Sequence, residues 1–273
     1  MRHFLFLICL AGHAQPARCA VCYTDEVRVE ALAPYDLIVL DSRYHPPLAP
    51  LVAAGKDVYG YLSLGEVEQN QPYFAAVQQE GILRGENPNW KGSYFIDWRD
   101  PRWERRVLTE LVPFVLQQGF SGLMLDTVDD AEYLETLDPV RNRGMRDAAL
   151  RLIREIRKTY PQVRIILNRG FFLLDAVAPS IQYVLAESLM SRYDFQTGTY
   201  RHVRKADYIE AVRLLHAAQQ RHPALRVLTL DYWWPTQAAK VQAIYELERR
   251  NGFVPYVATV ELDQIIEEPG RRP

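Results

Sequence analysis

Histidine and cysteine are scarce in this 273-residue chain, with six and three copies. No histidine falls at the end of an apolar strand-like run, so the ligand set that a zinc site needs is missing. The nucleophile-elbow pattern G-x-S-x-G is absent, which argues against a serine hydrolase. No G-x-G-x-x-G follows the first strand-like run. Phosphate chemistry would want a glycine-rich loop or an Arg/Lys cluster at the last strands, and neither occurs. Charge of one sign is not in excess either. Lys and Arg total 32 against 34 Asp and Glu, a net charge of -2, so bulk charge excludes nucleic acid as a partner. No apolar run reaches the roughly 18 residues of a bilayer span. Together these absences leave a chain expected to work without metal or cofactor.

The N-terminus has the make-up of a secretory signal. Met1-Arg2-His3 is a short basic start, Phe4 to Leu10 is apolar, and Ala11-Gly12-His13-Ala14 supplies small residues for cleavage. Cleavage is expected after Ala14, with Ala20 as the alternative. The mature chain, 15–273, should then be a single secreted or periplasmic domain, monomeric and without a membrane span. Cys9 lies in the signal. Cys19 and Cys22 form a C-x-x-C at the start of the first strand, not at the strand-to-helix turn of a redox motif. A local disulfide or two idle thiols is the expected outcome.

Beyond the signal, strand-like and helix-like segments alternate. Strands are expected at 20–23, 36–41, 58–64, 123–126, 163–168, 183–187, 227–231 and 254–260. Helices are expected at 46–54, 100–118, 143–160, 206–221 and 235–249, with room for only a short one within 171–179. Asp100-Pro101 is a good helix start and Gly119 a good stop. Residues 67–92 read as a long irregular stretch, followed by a small extra strand at 94–97. Eight strands with interleaved helices define a single (β/α)8 TIM-type barrel of the α/β class.

In such a barrel the active site lies at the C-terminal ends of the strands. Those ends carry Asp41, Glu66, Asp126, Asn168, Glu187 and Asp231, with Asp97, Asp129 and Asp130 nearby. Any one of these is more often a helix cap or loop anchor, but apolar strands that repeatedly end in acids are harder to explain that way. Paired carboxylates on different strands suit glycoside hydrolysis, one as nucleophile or base and the other as general acid. Asp126, at the end of Leu123-Met124-Leu125, is the first candidate. Tyr44, Tyr61, Tyr193, Tyr232, Trp233 and Trp234 could stack on sugar faces.

Five stretches in order, Tyr61-Leu-Ser-Leu-Gly-Glu66, Asp100-Pro-Arg-Trp103, Gly119 to Asp129, Asn168-Arg-Gly170 and Leu185-Ala-Glu187, resemble the glycoside hydrolase 114-like family of endo-α-1,4-polygalactosaminidases. The resemblance covers nearly the whole mature chain. It implies hydrolysis of galactosamine-rich polysaccharide and places the two catalytic carboxylates at Asp126 and Glu187. Asp126 is assigned as nucleophile and Glu187, with a raised pKa, as acid/base in a retaining mechanism. Ser63, within the first motif, and Asn168 join the substrate-binding candidates. A partly deacetylated galactosamine polymer is cationic, and Asp41, Glu66, Asp97, Asp129 and Asp231 would form an acidic rim to attract it. The alternatives are a barrel that binds carbohydrate without cleaving it, and a glycosidase for a neutral polysaccharide.

Overall fold

The computed structural model describes residues 18–270. The signal segment and its cleavage positions up to Ala14 lie outside the described residues. Eight parallel strands form one sheet whose spatial order is their sequence order. They are β1 (Cys19–Cys22), β2 (Leu37–Leu40), β3 (Asp57–Ser63), β4 (Gly122–Asp126), β5 (Arg164–Asn168), β6 (Tyr183–Glu187), β7 (Arg226–Tyr232) and β8 (Val254–Ala258). The first and last strands meet: Cys19 Sγ donates to Val254 O (3.5 Å), and just beyond the strands Tyr23 N donates to Leu262 O (2.6 Å). The fold is the expected (β/α)8 barrel, with Met145–Thr159, Lys205–Arg221 and Ala238–Arg250 among its helices.

The helix after the β3 excursion begins as expected. Asp100 Oδ1 accepts from Arg102 N (2.9 Å), Pro101 takes the first helical position, and the chain turns out at Gly119 with φ +101°. Midway, at Val107–Leu111, it widens to a π-type turn just ahead of Pro113. Proline has no N–H to donate and crowds the preceding turn, which accounts for the bulge.

Residues 67–92 are more ordered than their composition suggests. Glu66–Glu68, Ser93–Ile96 and Leu83–Glu86 make an antiparallel three-stranded sheet, with a helix at Phe74–Gln79 inserted. Each strand is three or four residues long, too short for a period to show in the sequence. A second excursion, the hairpin Ser191–Asp194 with Thr199–His202, follows β6.

Cys19 and Cys22 are both free and buried. Three steps along a strand separate them by about 10 Å on opposite faces, beyond disulfide reach. Of the two expected outcomes, idle thiols is the one found. Burial pushes the Cys19 thiol up to about 12 and the Cys22 thiol to about 11, which keeps both unreactive.

Inside the barrel, the floor is polar and plugged. Arg164 pairs with Asp57 and sits 5.7 Å from the Tyr59 ring centroid and 6.0 Å from that of Tyr183. Gly122 leaves the space for this plug: a Cβ there would lie 2.5 Å from Arg164 O and 2.6 Å from the Tyr59 ring. Gly122→Ala is therefore expected to destabilise the fold by about 1–3 kcal/mol, as overpacking does. Chemical denaturation monitored by circular dichroism checks this, and unchanged stability would mean the floor is looser than its packing implies.

Candidate active site

Strand parity decides which side chains reach the barrel mouth. Successive residues face opposite sides of a sheet, and partners across a parallel ladder face the same side. The register aligns Ser63 with Asp126, Asn168 with Leu185, and Glu187 with Leu230. Asp126, Asn168 and Glu187 therefore point inward together, with Tyr232 two residues beyond Leu230. They line a cleft of about 780 Å³ at the C-terminal end of the barrel.

At its centre, Asn168 Nδ2 donates to Asp126 Oδ1 (2.7 Å) and to Glu187 Oε2 (2.6 Å). The two facing carboxylate oxygens thus lie no further apart than the sum of these bonds, about 5.3 Å. Tyr232 Oη donates to the other oxygen, Glu187 Oε1 (2.7 Å). Burial, and then the charge of Glu187, raise the Asp126 carboxyl to about 7, against the opposing pull of the Asn168 amide. Two like charges this close resist ionising together, so the pair retains a proton into the neutral range.

The residues immediately after these three share a rare backbone. Thr127, Arg169 and Ser188 have φ of 59°, 52° and 56°. Such positive φ is costly for residues with side chains and persists only where the surroundings enforce it. Here hydrogen bonds enforce it: Gly65 N donates to Thr127 Oγ1 (2.7 Å), Arg169 N to Leu185 O (2.9 Å) and Ser188 N to Leu230 O (2.7 Å). The kink turns the chain away from the mouth right after each inward side chain. Gly65 is needed beside it, because a Cβ there would be 2.3 Å from Thr127 O.

Asp41, Tyr61, Ser63, Glu66 and Asp129 also line the cleft, but in different states. Asp41 Oδ1 accepts from the N–H groups of Arg43 (2.6 Å) and Tyr44 (2.7 Å). Ser63 Oγ donates to Glu66 O (2.9 Å), and Asp129 is paired with Arg169 (2.8 Å). Glu66 is buried and accepts from Asn87 Nδ2 (2.6 Å) and Ser93 Oγ, so it anchors the three-stranded excursion. Burial, and then the Glu66 charge, push neighbouring Asp130 up to about 10, so it stands neutral at the cleft wall. Asn168, only 2% exposed, is committed to the two carboxylates rather than open to a sugar.

Six candidates do not line the cleft. Asp231 is one residue out of parity: it points outward and accepts from Met190 N and Ser191 N (2.7 Å each). Asp97 is held by Arg84 and Arg99. Although burial opposes ionisation, the hydrogen bonds from these arginines hold its carboxyl at about 2. Tyr44 and Trp234 are exposed outside the cleft, Tyr193 packs between Phe195 and Tyr200, and buried Trp233 stacks on His202 with ring centroids 4.6 Å apart.

Residue types alone did not point to Tyr23 or Glu261, which also line the cleft. Tyr23 lies just past β1, in phase with Val21, and its ring is 5.1 Å from that of Tyr61. Parity counted from the first strand would have found it. Among the described residues, no group of three His, Cys, Asp or Glu is placed to hold a metal ion, and no helix is long and apolar enough to cross a membrane.

Comparison with known proteins agrees with this geometry. A model of glycoside-hydrolase family GH114 matches residues 15–272. An uncharacterized protein of Deinococcus radiodurans is 25% identical over 252 residues, covering 86% of this chain and 76% of that one. One of Thermotoga maritima is 24% identical over 241 residues, covering 82% and 72%. The glycoside hydrolase domain of PelA from Pseudomonas aeruginosa is similar in structure with a TM-score of 0.80 at 26% identity, covering 93% of this chain and 99% of that one. Aspergillus fumigatus Ega3, solved with galactosamine, has a TM-score of 0.73 at 16% identity, covering 94% and 97%, a likeness of fold. With two carboxylates bridged at the barrel mouth and the family model spanning nearly all of its length, the chain belongs to glycoside-hydrolase family GH114 and is a glycoside hydrolase.

Proposed function

We propose that this protein is a secreted hydrolase of α-1,4-linked polysaccharide rich in galactosamine and N-acetylgalactosamine, acting through Asp126 and Glu187 with retention of configuration. The observation that carries this reading is the shared amide. Asn168 Nδ2 keeps the facing oxygens within about 5.3 Å, which suits the roughly 5–5.5 Å of a retaining pair better than the wider gap that seats a water in inverting enzymes.

The cleft suits a cationic sugar. Asp41, Glu68, Asp129 and Glu261 line it alongside the catalytic pair, against Arg43, Lys91 and Arg169. An acidic mouth of this kind draws in an amino-sugar polymer despite the near-zero net charge of the chain. The bound galactosamine of Ega3 points to the same class of substrate.

The two roles need one proton between them, on Glu187 when Asp126 attacks. Both oxygens of Glu187 accept hydrogen bonds, from Asn168 and Tyr232, which fixes its orientation, while burial and the Glu187 charge raise the Asp126 carboxyl. The pair shares one proton. Catalysis by Asp126 as nucleophile requires it to pass to Glu187 as the glycosidic oxygen arrives.

Incubation with purified galactosamine-rich polysaccharide, free or chemically N-acetylated, tests the activity by mass spectrometry of the products. Asp126→Asn and Glu187→Gln should each lower turnover by at least about 100-fold while the fold persists. Normal turnover by either variant would remove that residue from the mechanism. A first product of inverted configuration, read by proton NMR, would exclude retention.

The pH profile follows from the shared proton. The singly protonated pair is the working form. The raised carboxyl keeps its proton below about 7 and loses it above, so kcat/KM should fall as pH rises through that value. Asn168→Ala removes a donor that favours ionisation, so the fall should move to higher pH while kcat drops. An unmoved profile would mean that the amide does not govern the pair.

A further inference from the structure

Outside the cleft, the hairpin Ser191–His202 carries a row of aromatic rings that the catalytic site does not use. Trp90 and Phe195 meet edge-on with centroids 5.1 Å apart. From Phe195 the row continues to Tyr193 (5.1 Å), Tyr200 (5.3 Å) and Trp234 (4.4 Å). Its middle is fixed: Tyr193 and Tyr200 are cross-strand partners, and Tyr200, 7% exposed, accepts from Val260 N through its hydroxyl (3.0 Å). Its tips are open, with Trp90, Phe195 and Trp234 exposed by 51%, 42% and 39%. Rigid aromatics left this open at ordered positions mark a binding surface.

The row is continuous with the cleft, since Trp90 and Val260 both line it. Trp234 stands two residues beyond Tyr232, on the catalytic face of the barrel. We propose that Phe195 and Trp234 form an outer sugar subsite for the polysaccharide chain leaving the cleft, and that it takes an uncharged, acetamido-bearing residue. A pyranose ring lays its C–H face on an aromatic ring and keeps its hydroxyls in water, which these half-open rings allow. Local charge offers no surplus of acid to a free ammonium group. The hairpin carries Arg192 and Arg201, its one acid, Asp194, is paired with Arg201, and Lys240 lies over the Trp233 ring at 5.1 Å, while the acids Glu261 and Asp263 act on Tyr200 at the inner part of the row. Acids outnumber cations along the cleft, whereas the charges around the outer rings balance, so that a partly deacetylated polymer would bind with its ammonium groups in the cleft and an acetylated residue outside.

This inference rests on the substrate class proposed above, and its test separates the two. Affinity electrophoresis through gels holding partly acetylated galactosamine polymer, or the fully deacetylated polymer, reads binding without turnover in a Glu187→Gln background. Phe195→Ala and Trp234→Ala should each weaken retardation by the partly acetylated polymer, and together by about tenfold. Retardation by the deacetylated polymer should be unchanged, and Trp234→Phe should restore most of the loss. Equal weakening on both polymers, or none, would overturn the outer subsite. So would sedimentation showing a wild-type dimer that the double variant dissociates, because a second copy would then cover the rings. If the wild type retards but does not cleave the polymer, the proposed activity fails while the subsite stands.

Discussion

A single amide nitrogen stands between two carboxylates at the barrel mouth, and much of the upper barrel is arranged to keep it there. Asn168 is buried at the end of its strand and spends both N–H bonds on Asp126 and Glu187. Without it, two acids in a water-poor setting would repel one another, swing apart or hold their proton too tightly. With it, their spacing and shared titration come from one rigid group. Tyr232 fixes the outer oxygen of Glu187, so that carboxylate has little freedom left.

That arrangement carries a backbone cost. Three strands end in a kink with positive φ, at Thr127, Arg169 and Ser188, each directly after a member of the central trio. Strain of this kind clusters where function requires it and is offset by nearby bonds. Here those bonds come from the neighbouring strand or loop, so the geometry of the trio depends on its neighbours in the barrel. The barrel depends in turn on its floor, where Gly122 makes room for the Arg164 plug.

The excursions after β3 and β6 do a different job. The first walls the cleft and is pinned by Glu66, a residue whose charge is used inside the protein rather than on substrate. The second presents aromatic rings at the cleft edge. The barrel sets the chemistry, and these two insertions shape how a long polymer could lie across it.

The apolar strands, the helix caps and the glycine stops are local signals, and from them the barrel, the helix starting at Asp100 and the candidacy of Asp126 were legible in the sequence. The five motifs brought in Glu187. Tertiary structure alone decided what each acid does. Asp126 and Asp231 end similar apolar runs, yet parity sends the first into the cleft and the second behind the sheet. Asp97 and Glu66 look like rim acids in sequence, but Asp97 is held by Arg84 and by its near neighbour Arg99, and Glu66 by an amide and a hydroxyl more than twenty residues on. Tyr193, Trp233 and Trp234 all read as sugar platforms, yet Tyr193 packs between Phe195 and Tyr200, Trp233 is buried against His202, and of the three only Trp234 stays exposed. Residue type and local period follow from the chain itself. Which partner neutralises a charge, and which face a strand end presents, depends on contacts between segments tens of residues apart, and those exist only once the barrel has closed.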